Sequence, residues 1–111
     1  MKKYNYIASA KRTLKIESDS IKSLSNQLGS SFVKLCDKVV NCDGKFVIMG
    51  VGKSGHIAQK ISATLSSVGV PSFTISASNS SHGDLGSISK KDILILISYS
   101  GNTDELRNLI Q

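Results

Sequence analysis

The chain has 111 residues and a mass of 11.9 kDa, which bounds it to one domain at most. Its composition is 40% hydrophobic with few aromatics, fitting an α/β protein with an aliphatic core. Fourteen Lys and Arg against eight Asp and Glu give a net charge of +6. These basic residues are scattered singly or in pairs such as Lys2/Lys3 and Lys90/Lys91. That pattern argues against a nucleic-acid face and for a surface that mildly favours anionic small molecules. The longest apolar runs, such as Ile93 to Ile97, are strand length and far short of the roughly 20 residues of a membrane span. The opening MKKYNYIASAKR lacks the continuous apolar segment of a signal peptide, so cytoplasm is the default location.

In chain order, Ile7, Leu14, Ile16, Ile21, Leu24 and Leu28 recur at helical spacing and predict a helix over 5–27. A second helix is expected over 30–41, with Ser30 or Ser31 as its N-cap. Asn41-Cys42-Asp43-Gly44 reads as a stop and turn. Cys36 and Cys42 match no common zinc or redox spacing and read as two reduced, partly buried thiols. Lys45 to Met49 is a short apolar run ending in glycines, the pattern of a buried strand. Ser54 to Val68 is helical, with Gly69 as its stop. A strand follows over Ser72 to Ser76, then a Ser/Gly/Asn-rich loop to Ser89 containing His82-Gly83-Asp84. The most apolar strand starts at Ile93, and a helix begins at Thr103.

Alternating β and α segments with non-alternating apolar strands imply a parallel sheet with helices on both faces, a three-layer α-β-α arrangement. The expected division is an N-terminal helical segment, 1–43, leading into an α/β part, 44–111. With three strands, the third strand would expose apolar surface and a free edge, so the chain is expected to associate.

Two strand-to-helix junctions then attract attention. GVGKSGH, Gly50 to His56, follows the first strand, and SYSGNT, Ser98 to Thr103, follows the third. A strand-to-helix junction aims backbone N–H groups and the positive end of a helix dipole at one spot, which suits an anion. In a parallel sheet both junctions lie at the carboxyl edge, where ligands bind. GVGKSGH is not a Walker A loop, because that loop asks for glycine where Val47 stands. Gly50, Gly52 and Gly55 match G-x-G-x-x-G, but a dinucleotide fold also asks for an acid about 20 residues on, where Ser76, Ala77 and Ser78 stand. A bare glycine turn leaves Lys53, Ser54 and His56 unexplained. In SYSGNT, the hydroxyls of Ser98, Ser100 and Thr103 surround Gly101 and suit a phosphate; a serine-rich N-cap is the plainer alternative. An unperturbed histidine changes charge near neutrality, so His82, with Lys53 and Glu105, forms a candidate acid/base set.

GVGKSGHIAQKISATLSSVGVPSF, SSHGDLG and ISYSGNTDEL together resemble the sugar isomerase (SIS) domain of arabinose-5-phosphate isomerases, from about Gly44 to Leu109. The resemblance implies a flavodoxin-like strand order and an aldose–ketose shift between arabinose 5-phosphate and ribulose 5-phosphate, on the route to the 3-deoxy-octulosonate of lipopolysaccharide. By motif position it implies that Ser54, Ser98, Ser100 and Thr103 hold the substrate phosphate. Lys53, His82 and Glu105 match positions associated with the isomerase active site. It further implies no cofactor, leaves metal dependence open, and points to a homo-oligomer with sugar phosphate as ligand and neither nucleic acid nor membrane as partner. A non-catalytic sugar-phosphate-binding module is the alternative. Departures from the family pattern are Ser76-Ala-Ser-Asn-Ser80 where the family is rich in His, Pro and Glu, and Asn102 where an acid is usual. The family's fourth and fifth strands, with a later Glu and His, would lie beyond Gln111.

Overall fold

A computed structural model describes residues 3–76, 84–102 and 104–107, with the side chains of 84, 105 and 106 outside the description. The chain divides into two compact units, Met1–Lys38 and Val39–Gln111.

The first unit is helical. Helix α1, Tyr6–Leu24, starts where Asn5 Oδ1 accepts the Ala8 N–H at 2.9 Å, satisfying one of the orphan donors of the first turn. It tightens into a short 3-10 turn, Ser25–Gln27. Helix α2, Ser30–Val40, is entered differently from the expectation. Neither Ser30 nor Ser31 caps it; the Gly29 carbonyl accepts the N–H groups of Phe32 at 3.0 Å and Val33 at 3.2 Å, so Gly29 occupies the cap position. No residue of either helix is buried. The apolar stripe of α1 is thus open, with Ile7 71% and Ile21 70% exposed. Cys36, expected to be partly buried, is exposed on α2, whereas Cys42 is half-buried with its thiol 3.6 Å from the Lys91 carbonyl.

The second unit is an α/β sheet. Strands β1 (Phe46–Gly50), β2 (Ser72–Ser76) and β3 (Ile93–Ile97) are all parallel, in the order β2-β1-β3. Central β1 is hydrogen-bonded on both sides, which is why a continuous apolar run was needed there: Val47, Ile48 and Met49 are 0% exposed. Burying each such side chain contributes about 1.5–3 kcal/mol. Alternation places Val47, Met49 and Ile75 in one cluster, joined by Phe73, Leu96 and Ile88. The opposite face carries Phe46, Ile48 and Gly50 beside Ser72, Thr74 and Ser76. Helix α3, Lys53–Ser67, lies on that face, where Ser72 Oγ donates to Ser62 Oγ at 2.6 Å. Small residues, Ala58 and Ser62, are the ones α3 buries.

Helix α3 ends in a Schellman motif. Gly69 takes φ +85°, its N–H donates to the Ser66 carbonyl at 3.1 Å, and the Val70 N–H reaches back to Leu65 at 2.9 Å. A 3-10 turn, Asp84–Ser87, precedes β3, and helix α4 covers Asp104–Arg107. Strand β3 is an edge among the described residues, and its Leu94 is 36% exposed, in keeping with the surface expected there. No helix among the described residues is long and apolar enough to cross a membrane.

Candidate functional site

The strand order fixes where a ligand site can form. From β1 the chain crosses to β2 on one side, and β3 then lies on the other side of β1. The carboxyl edge between β1 and β3 is therefore a topological switch point, where successive connections part and leave a crevice. Register sharpens this: Gly50, the last residue of β1, pairs with Ile97, the last of β3. The glycine turn after β1 and the serine turn after β3 thus leave the sheet at the same level, one strand spacing of about 4.8 Å apart.

The first turn is built on glycine. Gly52 adopts φ 59°, ψ −122°, a conformation that side chains strongly disfavour, and caps α3 without a side-chain hydrogen bond. A Cβ on Gly50 would stand 2.6 Å from the Ser54 carbonyl group, so α3 leaves β1 at a distance only glycine permits. The first-turn N–H groups do not all face outward. Ser54 donates to the Val51 carbonyl at 3.2 Å, while Gly55 and His56 donate to Gly52 at 3.0 and 3.3 Å. The attraction this turn offers an anion therefore rests on the exposed Lys53, the half-buried Ser54 and the dipole of a 15-residue helix, more than on a ring of free amides.

The second turn is held by its own serines. Ser98 Oγ accepts the Gly101 N–H at 3.0 Å, and Ser100 Oγ accepts the Asn102 N–H at 3.2 Å. Gly101 supplies φ +67°. With its oxygen engaged by the backbone, the exposed Ser100 hydroxyl keeps its proton for an outside acceptor. The plainer serine-cap reading and the phosphate reading meet here, since the turn bonds that order the hydroxyls leave Ser100 able to donate.

Of the seven candidates, Lys53, Ser54, Ser98 and Ser100 are brought to one edge by adjacent strands. His82 and Thr103 lie outside the described residues, as does the Glu105 side chain, although its backbone is in α4. No group of three or more His, Cys, Asp or Glu among the described residues is placed to share a metal ion.

A cavity of about 370 Å³, not foreseen from the sequence, adjoins the glycine turn. It is lined by Gly50, Gly52 and Gly55 together with His56 and Gln59 of α3 and Thr74 and Ser76 of β2. The signal that could have found it is the i, i+3 spacing of His56 and Gln59 beside an alternating Ser72, Thr74, Ser76 face.

At the opposite end of the sheet, Asp92 locks β1 to β3. Its carboxylate, with the side chain 2% exposed, accepts the Lys45 N–H at 3.0 Å, the Lys45 ammonium at 2.8 Å and the Ser89 N–H at 2.7 Å. The backbone N–H of Lys45, then its ammonium, then the Ser89 N–H hold the Asp92 pKa well below the usual carboxylate range.

A parallel α/β unit with a glycine turn and a serine turn at its switch point is an architecture suited to phosphorylated ligands. Residues 38–111 match the SIS domain family, and the chain belongs to it. It is 43% identical over 106 residues to arabinose 5-phosphate isomerase KdsD of Pseudomonas aeruginosa, covering 96% of this chain and 32% of the relative. It is 47% identical over 105 residues to arabinose 5-phosphate isomerase KpsF of Escherichia coli O6:H1, covering 94% and 32%. The chain thus spans about a third of the length of these curated relatives. Among solved structures, a protein of E. coli CFT073 in complex with arabinose 5-phosphate superposes with a TM-score of 0.85 at 39% identity, covering 95% of this chain and 57% of that one.

Proposed function

We propose that this chain carries the phosphate-binding half of an aldose–ketose isomerase site that interconverts arabinose 5-phosphate and ribulose 5-phosphate. The observation that supports the reading is the matched register of Gly50 and Ile97, so that the turn bearing Lys53 and Ser54 and the turn bearing Ser98 and Ser100 leave the sheet at one edge. The kinship with arabinose 5-phosphate isomerases, and with a structure holding that sugar phosphate, supports the choice of ligand.

In this reading Ser98, Ser100 and Thr103 grip the phosphate and Ser54 assists. A base takes the C2 proton of the open-chain aldose, and the electron pair forms the C1–C2 enediolate. O1 gains a proton as O2 loses its own, and protonation at C1 gives the ketose. His82 and Glu105 are the candidate proton carriers, and the Lys53 ammonium offsets the negative charge that develops on the enediolate oxygen. The cellular setting that goes with this chemistry is a cytoplasmic step towards lipopolysaccharide, performed by a homo-oligomer.

Titration calorimetry with arabinose 5-phosphate, run beside an isomerase assay on the same protein, tests the proposal. Saturable binding is expected. Ser100→Ala removes a hydrogen bond to a charged acceptor, worth about 1.5–3 kcal/mol, and so weakens binding about 10- to 100-fold. Binding without turnover would make this chain a sugar-phosphate-binding module, and absence of binding would overturn the reading.

A further inference from the structure

We propose that the cavity beside the glycine turn is the subsite for the hydroxyl-bearing carbon chain of the ligand, and that His56 and Gln59 determine which sugar phosphate is accepted. This rests on the sugar-phosphate reading and extends it to residues that reading does not use.

The argument begins with the pleat of β2. Phe73 and Ile75 join the apolar cluster with Val47 and Met49, so Ser72, Thr74 and Ser76 are turned to the face on which α3 lies. Near the amino end of β2 this polar face is consumed: Ser72 Oγ donates to Ser62 Oγ at 2.6 Å. Nearer the carboxyl end, Thr74 makes no such bond to the described part of α3. Thr74 and Ser76 line a cavity of about 370 Å³, and His56 and Gln59 line it from α3. That volume falls within the range of small-ligand sites, about 300–1,000 Å³.

The chemistry of the lining distinguishes it from the neighbouring rim. The imidazole of His56, the carboxamide of Gln59 and the hydroxyl of Thr74 offer both donors and acceptors, the complement of a polyol. The side chains of His56, Gln59 and Thr74 make no hydrogen bond to other described residues, so their capacity is not spent within the fold. The anion-attracting groups, Lys53 and the serine turn, stand outside this lining, yet Gly50, Gly52 and Gly55 belong to both the turn and the cavity wall. A ligand gripped at β3 reaches β2 by crossing over the glycines of β1, two strand spacings or about 10 Å away. An open-chain sugar phosphate has that order of reach and a phosphate ion does not. A solvated edge-strand face would explain the polar residues of β2 but not the concavity they share with two polar positions one helical turn apart on α3.

The test compares the affinities of the parent chain, His56→Ala and Gln59→Met for arabinose 5-phosphate, ribose 5-phosphate and inorganic phosphate by calorimetry. Both side chains are exposed, so thermal unfolding is expected to be unchanged. Each substitution removes neutral hydrogen bonds and is expected to weaken arabinose 5-phosphate binding about 2- to 10-fold. It should also narrow the preference over ribose 5-phosphate, with inorganic phosphate unaffected. Unchanged affinities, or sugar phosphate and inorganic phosphate weakening together, would overturn the subsite while leaving the sugar-phosphate reading standing. A parent chain that binds no sugar phosphate would overturn both.

Discussion

Gly52 bears on the site through its backbone alone. Nothing lies within 4 Å of where its Cβ would be, so the demand for glycine comes from φ 59°, ψ −122° and not from crowding. Gly52→Ala is therefore expected to cost about 1–3 kcal/mol of stability, read by urea denaturation, unless the turn reshapes and spares the fold at the expense of the ligand. Gly50 is the opposite case, since a Cβ there meets the backbone of Ser54 at 2.6 Å and no rotamer change relieves it. Both positions were legible in the sequence, because an apolar run broken by G-x-G before a helical stripe has few other uses. His56 was visible only as a residue the glycine turn failed to explain. The cavity it shares with Gln59 depends on which face of β2 meets α3, and that is decided by pairing Ile48 with Thr74 across the sheet.

Among the elements, the pair β1 and β3 carries a buried polar lock. Asp92 sits 47 residues from Lys45, so local pattern could show it only as a polar residue before an apolar strand; the contact exists once the strands are in register. Its depressed pKa sets a sign. The stability it confers is fully present above the unfolded carboxylate value, 3.8, and is lost as pH falls from there towards the lower folded value. Urea unfolding between pH 7 and pH 3 should show the parent chain weakening below about pH 4. Asp92→Asn should be less stable than the parent at neutral pH, with the gap narrowing in acid. A gap that stayed constant down to pH 3 would show that the carboxylate charge is not what locks the strands. The elements themselves were largely legible: β2 spans Ser72–Ser76 as expected, and β1 is shifted by one residue. The entry to α2 was not, because Gly29 and the serines after it all satisfy the usual preferences and only geometry chooses among them.

For the whole molecule, surface is the governing quantity. Helices α1 and α2 bury none of their residues, and large apolar side chains from Ile7 to Val40 remain open to solvent. Apolar surface exposed on this scale is rarely left bare. The purified chain is accordingly expected to scatter light as a species heavier than 11.9 kDa at micromolar concentration. A monodisperse monomer across that range would contradict the expectation. The helical periodicity of this segment was readable in the sequence, whereas the partner of its stripe was not, because periodicity specifies a face and not what covers it.

Strand β1 joins two regions with different tasks. Asp92 and Lys45 stand at its amino end and the glycine turn at its carboxyl end, five residues or about 16 Å apart. Groups separated by more than about 7–10 Å without shared partners contribute to free energy additively. The two ends can therefore drift under separate selection. Residues at the carboxyl edge are open to replacement one by one, without each change having to be matched by repair of the lock beneath it.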